Sequence, residues 1–400
     1  MRTIGIISEY NPFHSGHRFH LNSLRQSFGP DCALVCVMSG NFVQRGDAAI
    51  ADKWTRARFA LEGGADLVLE LPTPWAISSA EQFARGSVAL LDAAGVVDTL
   101  SFGSEAGRLA PLEAAAAALD SPRWQEALRE QLALGLSFPA AREKAAEALL
   151  GQEAACLRQP NNNLGVEYLR ALHTLGSTIQ PHTLQRLGAA HDKTAQDGPH
   201  RSASQLRAAL LKEEYLSLSP FLDAQAVEVL RKNPASLSFC TRGVLARLRG
   251  MSEAELERLP DCGEGLSRLL CRAVQQASSL EELYLLVKSK RYTHARIRRL
   301  VLWAFLGLCA ADRPERPPYL RVLGFSPRGR TVLRDMKSRA RLPILVKPAH
   351  IAGLGTEAQR LFQLEARCTG LYGLCQKTLG GISQESEYRT GPVFSPQQVP

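Results

Sequence analysis

Two histidines, three residues apart with a glycine between them, form the group most suited to chemistry: Asn11-Pro12-Phe13-His14-Ser15-Gly16-His17. Imidazole N–H groups can donate to oxygens that gain charge during phosphoryl or nucleotidyl transfer. At this spacing His14 and His17 fall on one side of a helical turn. Gly16 has no Cβ, so a phosphate can approach the backbone closely. His14 and His17 are therefore the catalytic candidates, acting by positioning and charge stabilisation.

A strand and a helix must position them. Thr3 to Ser8 is an apolar run that reads as a buried strand, and a helical pattern runs from His17 to about Phe28. A parallel strand delivers such a turn to the carboxyl edge of a sheet, where open α/β folds bind ligands. The helix start adds unpaired N–H groups and the positive end of a dipole. The alternation continues with a strand at 31–38, a helix from Asp52 to Gly63-Gly64, a strand at 66–71, a helix from Ser79 to Ala94 and a strand at 99–105. This predicts an α/β fold, a Rossmann-like doubly wound parallel sheet. The loops at 8–17, 39–47, 72–79 and 103–105 should share one edge. Two or three Ala- and Leu-rich helices over 111–150 should cover the sheet, and 183–187 reads as a fifth strand with Arg186 near its end and His191-Asp192 in the loop beyond.

Two further segments offer binding groups. Asn161, Asn162 and Asn163 precede a helix; one suits an N-cap, and the amides also suit an adenine or ribose. Arg201-Ser202-Ala203-Ser204-Gln205-Leu206-Arg207 opens another helix, a second place for an anion by the same dipole argument. Ser202 reads equally as a plain cap or as a phosphate contact.

Composition bounds the rest. Four hundred residues imply two domains, and 45% hydrophobic with 22% charged residues describes a globular protein. Neither a long apolar run nor a signal-peptide pattern is seen, so a cytoplasmic protein without a membrane span is expected. Nine scattered cysteines lack any Cys-x-x-Cys, which argues against a disulfide framework or a zinc finger and fits a reducing compartment. The net charge of +9 is concentrated: residues 285–350 hold sixteen Lys and Arg against three acids. That is the footprint of RNA or DNA, or else a solvated face. Lys288, Lys290, Arg291, Arg296, Arg298 and Arg299 surround Tyr292 and His294, a mixture suited to phosphates and unpaired bases. Helical periodicity dominates from 216, and a Gly-, Ser- and Gln-rich tail from 379 is expected to be disordered.

The run Glu9 to His17 resembles the signature of the HIGH-motif nucleotidyltransferase superfamily, in the branch of bacterial tRNA(Met) cytidine acetate ligases. Ser39-Gly40-Asn41-Phe42-Val43-Gln44-Arg45-Gly46, Glu70-Leu71-Pro72 and Phe102-Gly103-Ser104-Glu105 resemble further landmarks of that branch. Asp47 stands where the family usually has Glu, and the second signature departs at Arg201 and Ala203. The resemblance spans Ile4 to about Lys377. It implies ATP contacts by Ile7, Ser8, Glu9, Tyr10, Asn11, Pro12, Phe13, His14, Ser15, Gly16, His17 and His20. Gly103, Asn161 or Asn162, and Arg186 would join them, with Ser202, Ser204 and Arg207 as further candidates. It also implies a catalytic domain over 1–215, a tRNA-binding domain over 216–378, acetate and elongator tRNA(Met) as substrates, and magnesium on the ATP phosphates. No protein partner and no protein metal ligand are evident. A small-molecule nucleotidyltransferase and a non-catalytic RNA-binding protein are the competing readings.

Overall fold

The computed structural model describes residues 1–136, 138–186, 201–263, 265–289 and 291–396. Five parallel strands carry the architecture: β1 (Thr3–Ser8), β2 (Ala33–Ser39), β3 (Leu67–Leu71), β4 (Thr99–Ser104) and β5 (Gln180–Gln185). They lie in the order β3-β2-β1-β4-β5, with Ile4 opposite Leu34 on one side and Thr99 on the other. β2 is buried along its whole length, which is why it reads as an uninterrupted apolar run. The sheet is wrapped by α1 (Ser15–Phe28), α2 (Lys53–Glu62), α3 (Ala80–Ala93) and α4 (Pro160–Leu175). Asp52 caps α2 by accepting from the Thr55 N–H at 2.9 Å, and Gly63 ends it. Three helices over 110–150 pack with α4 on one core face, around Leu100, Phe102 and Leu112.

α5 (Ala203–Leu211) leads into a helical unit that ends with α6 (His294–Leu306). Its core joins Leu245, Leu270 and Trp303 to Phe42 and Ala48 of a short hairpin, Phe42–Val43 with Asp47–Ala48.

The C-terminal segment adds to the sheet and corrects two expectations, the disordered tail and the separate second domain. β6 (Leu320–Phe325) pairs antiparallel with β3, so the sheet is mixed rather than wholly parallel. β3 would otherwise present a bare apolar edge, which the buried run Leu320-Arg321-Val322-Leu323 covers. After α7 (Pro327–Arg339), β7 (Ile344–Leu345) pairs with β6. α8 (Thr356–Gly373) and α9 (Gln384–Arg389) follow, and β8 (Val393–Phe394) extends the sheet beyond β6. The tail from 379 is thus ordered through 396, and residues beyond 319 return to the first sheet instead of remaining in a second domain. The physical reason is a buried charge. Lys53 is fully buried, and its ammonium meets Glu70 at 2.6 Å and Glu387 of α9 at 2.7 Å. A lone buried ammonium would be very costly, so the tail that answers it is held in place.

Candidate active site

The turn after β1 is held from below by a buried guanidinium. Arg56 on α2 donates to the Glu9 carbonyl at 2.6 Å, the Ser39 carbonyl at 3.1 Å, the Ala51 carbonyl at 2.9 Å and the Gly40 carbonyl. The exits of β1 and β2 are thereby fixed to one another. The Glu9 carboxylate accepts from the Gln44 N–H at 2.7 Å, tying the same two loops again. Ile7 and Ser8 end β1, and Tyr10 follows in the left-handed region at φ 45°. Asn11 is buried before a cis peptide to Pro12. Its Oδ1 accepts from the Ile50 N–H at 2.8 Å, while its Nδ2 is buried with no protein partner. A buried spare donor in this turn is a ready contact for an anion.

His14 is the N-cap of α1. Its Nδ1 accepts from the Gly16 N–H at 3.0 Å, and its own N–H donates to the Nδ1 of His17 at 3.3 Å. The two rings lie face to face but tilted by 32°, with centroids 3.9 Å apart. Both Nδ1 atoms serve as acceptors, so each neutral ring carries its proton on Nε2 and is a donor there. Burial, followed by the neighbouring His14, Arg186 and His20, pushes His17 well below the usual imidazole range. His17 is therefore an uncharged donor near neutral pH. Tyr10 and Phe13 wall the His17 ring at 4.9 and 5.6 Å between centroids. A Cβ on Gly16 would come within 2.9 Å of the His14 ring, so the glycine is required by the cap as well as by any ligand. Ser15 is exposed beside it, and its N–H donates to the Phe221 carbonyl at 2.9 Å.

The second signature is brought against this turn. Arg207 donates to the Asn11 carbonyl at 2.7 Å and to Ser204 Oγ at 3.2 Å. Arg45, at the tip of the hairpin, also donates to Ser204 Oγ, at 3.3 Å. Ser202 accepts from the Gln205 N–H in a capping box, so its hydroxyl serves the helix while Ser204 faces the arginines. Arg201, in the place of an apolar family residue, bonds Ser217 and lies over the Phe221 ring. Arg45 is not among the ATP-contact candidates read from the sequence, although it stands in the run that resembles the family. The signal that could have found it was its place in the eight-residue run at the end of β2.

β4 and β5 bring in the remaining candidates. Ser104 lies opposite Gln185, and the Arg186 stem crosses Gly103, where a Cβ would come within 2.9 Å of it. Asn161 and Asn162 cap no helix with their own side chains. Instead Glu105 accepts from both backbone N–H groups and from Asn161 Nδ2 at 2.6 Å. The buried Asn162 amide spans Ala106 and Gln159, so both amides fix the Glu105 loop beside Arg186. His20 lies one turn beyond His17 and against the sheet. Its Nε2 meets Ser101 Oγ at 3.0 Å, which in turn meets His182 Nδ1 at 3.2 Å. Burial, then His182 and Arg186, push its pKa down to about 4. Leu187, His191 and Asp192 lie outside the described residues.

The basic stretch touches this site through the hairpin. Arg298 on α6 bonds Asp47 at 2.9 Å, and a Cβ on Gly46 (φ 74°) would come within 2.5 Å of the Arg298 backbone. Asp47, the departure from the family's Glu, is therefore a bridge to the helical unit. Lys288 and Arg291 are exposed; Lys290 lies outside the described residues. Arg296 bonds the Asp261 carbonyl at 2.8 Å, and Arg299 is half-buried. Tyr292 is 5% exposed in the helical core beneath Arg296, so the expectation that it stacks on a base is corrected, whereas His294 is exposed. The positive excess is also partly neutralised within the chain: Arg321 is buried 3.7 Å from Glu387, half-buried Arg328 pairs with Asp66, and exposed Arg341 pairs with Asp92.

With this geometry in place, the likenesses are specific. Residues 1–387 match the HIGH Nucleotidyl Transferase family. The tRNA(Met) cytidine acetate ligase of Caldanaerobacter subterraneus subsp. tengcongensis is 39% identical, over 94% of this chain and 96% of its own. That of Syntrophotalea carbinolica is also 39% identical, over 98% and 99%. Thermotoga maritima TmcAL, 32% identical, superposes with a TM-score of 0.93 in its apo structure and 0.90 in its structure bound with alpha-thio ATP, each covering 99% of this chain and 100% of that one. Two signatures meeting over one turn, with likeness along nearly the whole length, place the chain in the HIGH nucleotidyl transferase family, among the tRNA(Met) cytidine acetate ligases.

Proposed function

We propose that this enzyme activates acetate with ATP and transfers the acetyl group to the wobble cytidine of elongator tRNA(Met), forming N4-acetylcytidine. The observation that carries the reading is the convergence of His14, His17, Arg45, Ser204 and Arg207 on the turn after β1. Acetate attacks the α-phosphate of ATP, and pyrophosphate leaves. The Nε2–H groups of His14 and His17 donate to the phosphate oxygens as charge grows on them. Arg45, Arg186 and Arg207 balance the triphosphate charge, and the turn from Ile7 to His20 with Gly103 forms the cradle. The exocyclic amine of cytidine then attacks the acetyl carbon, and AMP leaves. The cytidine must leave its stack to reach the adenylate. No covalent enzyme intermediate is needed.

Among the described residues no three His, Cys, Asp or Glu converge as a metal cage, and magnesium requires none, since it keeps waters and binds through substrate phosphates with one or two carboxylates. Any magnesium arrives on the triphosphate oxygens, as this ion commonly does. The tRNA is proposed to lie on the exposed cations Lys288 and Arg291 and reach the cleft past the Arg298–Asp47 contact. Among the described residues, no helix is long and apolar enough to cross a membrane. The test is incubation with labelled acetate, ATP and bulk tRNA, followed by nucleoside analysis. Labelled N4-acetylcytidine supports the reading. Adenylation of a small metabolite, or no ATP consumption, supports one of its two competitors instead.

A further inference from the structure

The cleft loop at 39–47 is connected to the far end of the chain by an unbroken polar path. The Lys53 N–H donates to Asn41 Oδ1 at 2.9 Å, and Asn41 Nδ2 donates to Thr369 Oγ1 of α8 at 3.0 Å. Thr369 Oγ1 donates in turn to Glu387 Oε2 of α9 at 2.9 Å. Glu387 closes the circuit on the Lys53 ammonium, which also holds Glu70. Every member is nine-tenths or more buried. The circuit also bears on Gly40, where a Cβ would come within 2.6 Å of the Glu70 carboxylate. Burial, then the neighbouring Glu70, push Glu365 up to about 8, so it holds its proton near neutral pH. The cations Lys53 and Arg321 then face the carboxylates Glu70 and Glu387 in equal number. The charges balance, although Arg321 Nε and Nη1 are buried without a hydrogen-bond partner. The closed ring through Lys53, Asn41, Thr369 and Glu387 is itself paired at each step and holds the groups it joins in one arrangement.

We infer that Glu387 and Thr369 are positioning residues for nucleotide binding, fixing Asn41 and hence the loop that presents Arg45 to Ser204. This rests on the function proposed above. The loop has several anchors: Arg56 holds the Ser39 and Gly40 carbonyls, the Asn41 side chain holds the next residue, and Glu9 on Gln44 and Arg298 on Asp47 hold the end. Of these, the Asn41 side-chain contact is the one made through Thr369 and Glu387. Loosening it should move Arg45 without touching His14 or His17, and so weaken ATP binding more than turnover. The discriminating variant is Thr369→Val, which keeps the shape, removes both hydrogen bonds of the path and leaves the Lys53–Glu387 pair intact. Thr369→Ser restores the hydroxyl. Glu387→Gln is the second variant, keeping an acceptor for Thr369 while removing charge.

The experiment is ATP titration by calorimetry on the full chain, with KM for ATP and kcat measured alongside thermal unfolding. Thr369→Val should raise Kd and KM for ATP roughly tenfold or more, as small misplacements of binding groups do. Its kcat at saturating ATP should stay near the parent's, and Thr369→Ser should recover most of the loss. If Thr369→Val lowers the unfolding temperature but binds ATP like the parent, the path is structural only and the inference is overturned. If Thr369→Val does not fold, Glu387→Gln decides on the same readout. Failure of the parent chain to bind ATP would instead overturn the proposed function.

Discussion

Two helices begin at the same cleft and finish their first turns differently. α1 is capped by His14, whose Nδ1 accepts from the Gly16 N–H, with His17 answering the His14 N–H. α5 is capped by Ser202, whose Oγ accepts from the Gln205 N–H. A ring with two nitrogens can satisfy the backbone with one and present a donor with the other. A hydroxyl must use one and the same atom for both, so the O–H donor that remains stays at the cap. The chemical groups of α5 therefore come later along it, at Ser204 and Arg207, and are aimed by arginines rather than by the cap. Capping and catalysis are merged in one helix and separated in the other.

The largest expected effect tests the merger. His14→Asn keeps a good capping acceptor but removes the Nε2 donor. It should slow acetate-dependent AMP formation by roughly two to three orders of magnitude, with thermal unfolding little changed, and His17→Ala should match it in rate. A parent-like rate in His14→Asn would reduce His14 to a cap. Next comes the surface beyond both helices. Charge reversal at Lys288 and Arg291 should weaken tRNA binding and flatten the dependence of log K on log salt by about two. Acetyl-adenylate formation without tRNA should persist, and filter binding across a salt series reads the slope. Ser202→Ala should cost about 1 kcal/mol in chemical denaturation and leave the rate within about twofold, because only a cap is lost.

The smallest effect concerns the third histidine of α1. Burial holds His20 at about 4, below the value of 6.5 expected when unfolded. The unfolded chain therefore binds the proton first, and the folded state loses stability as pH falls from about 6.5 towards 4. Unfolding midpoints across that range should fall less steeply in His20→Gln. Identical slopes would mean that other groups set the acid limit.

Why the sequence foretold the α1 turn but not the tail follows from range. The His14 cap involves contacts between neighbours, so its four residues carry their own geometry, as do Asp52 on α2 and Gly63 at its end. Four of the five parallel strands were legible because burial leaves an apolar run; β5, polar and half-exposed at the sheet edge, starts at Gln180, three residues before the expected 183–187. Tyr292 was misplaced because an aromatic among cations reads alike whether it faces solvent or lies under Arg296. The order of the tail was invisible, because Glu387 is a charged residue in a polar stretch. What orders it is an ammonium 334 positions earlier in the sequence, at Lys53. Likewise the chain could not reveal that Asn161 and Asn162 would be engaged by Glu105, a contact set by the register of β4 against α4.

The edge strands have a consequence for how the molecule is made. β3 leaves the ribosome early, yet its antiparallel neighbour β6 is synthesised some 250 residues later and β8 later still. Pairing across so long a stretch of chain carries a large loop-closure cost and slows folding. Until β6 and α9 emerge, the nascent chain exposes an unpaired apolar edge at β3 and a Lys53 lacking one of its carboxylates. Such intermediates are where chains of this size meet chaperones or aggregate. Expression yield, more than turnover, should be the first casualty of shortening this protein at its carboxyl end.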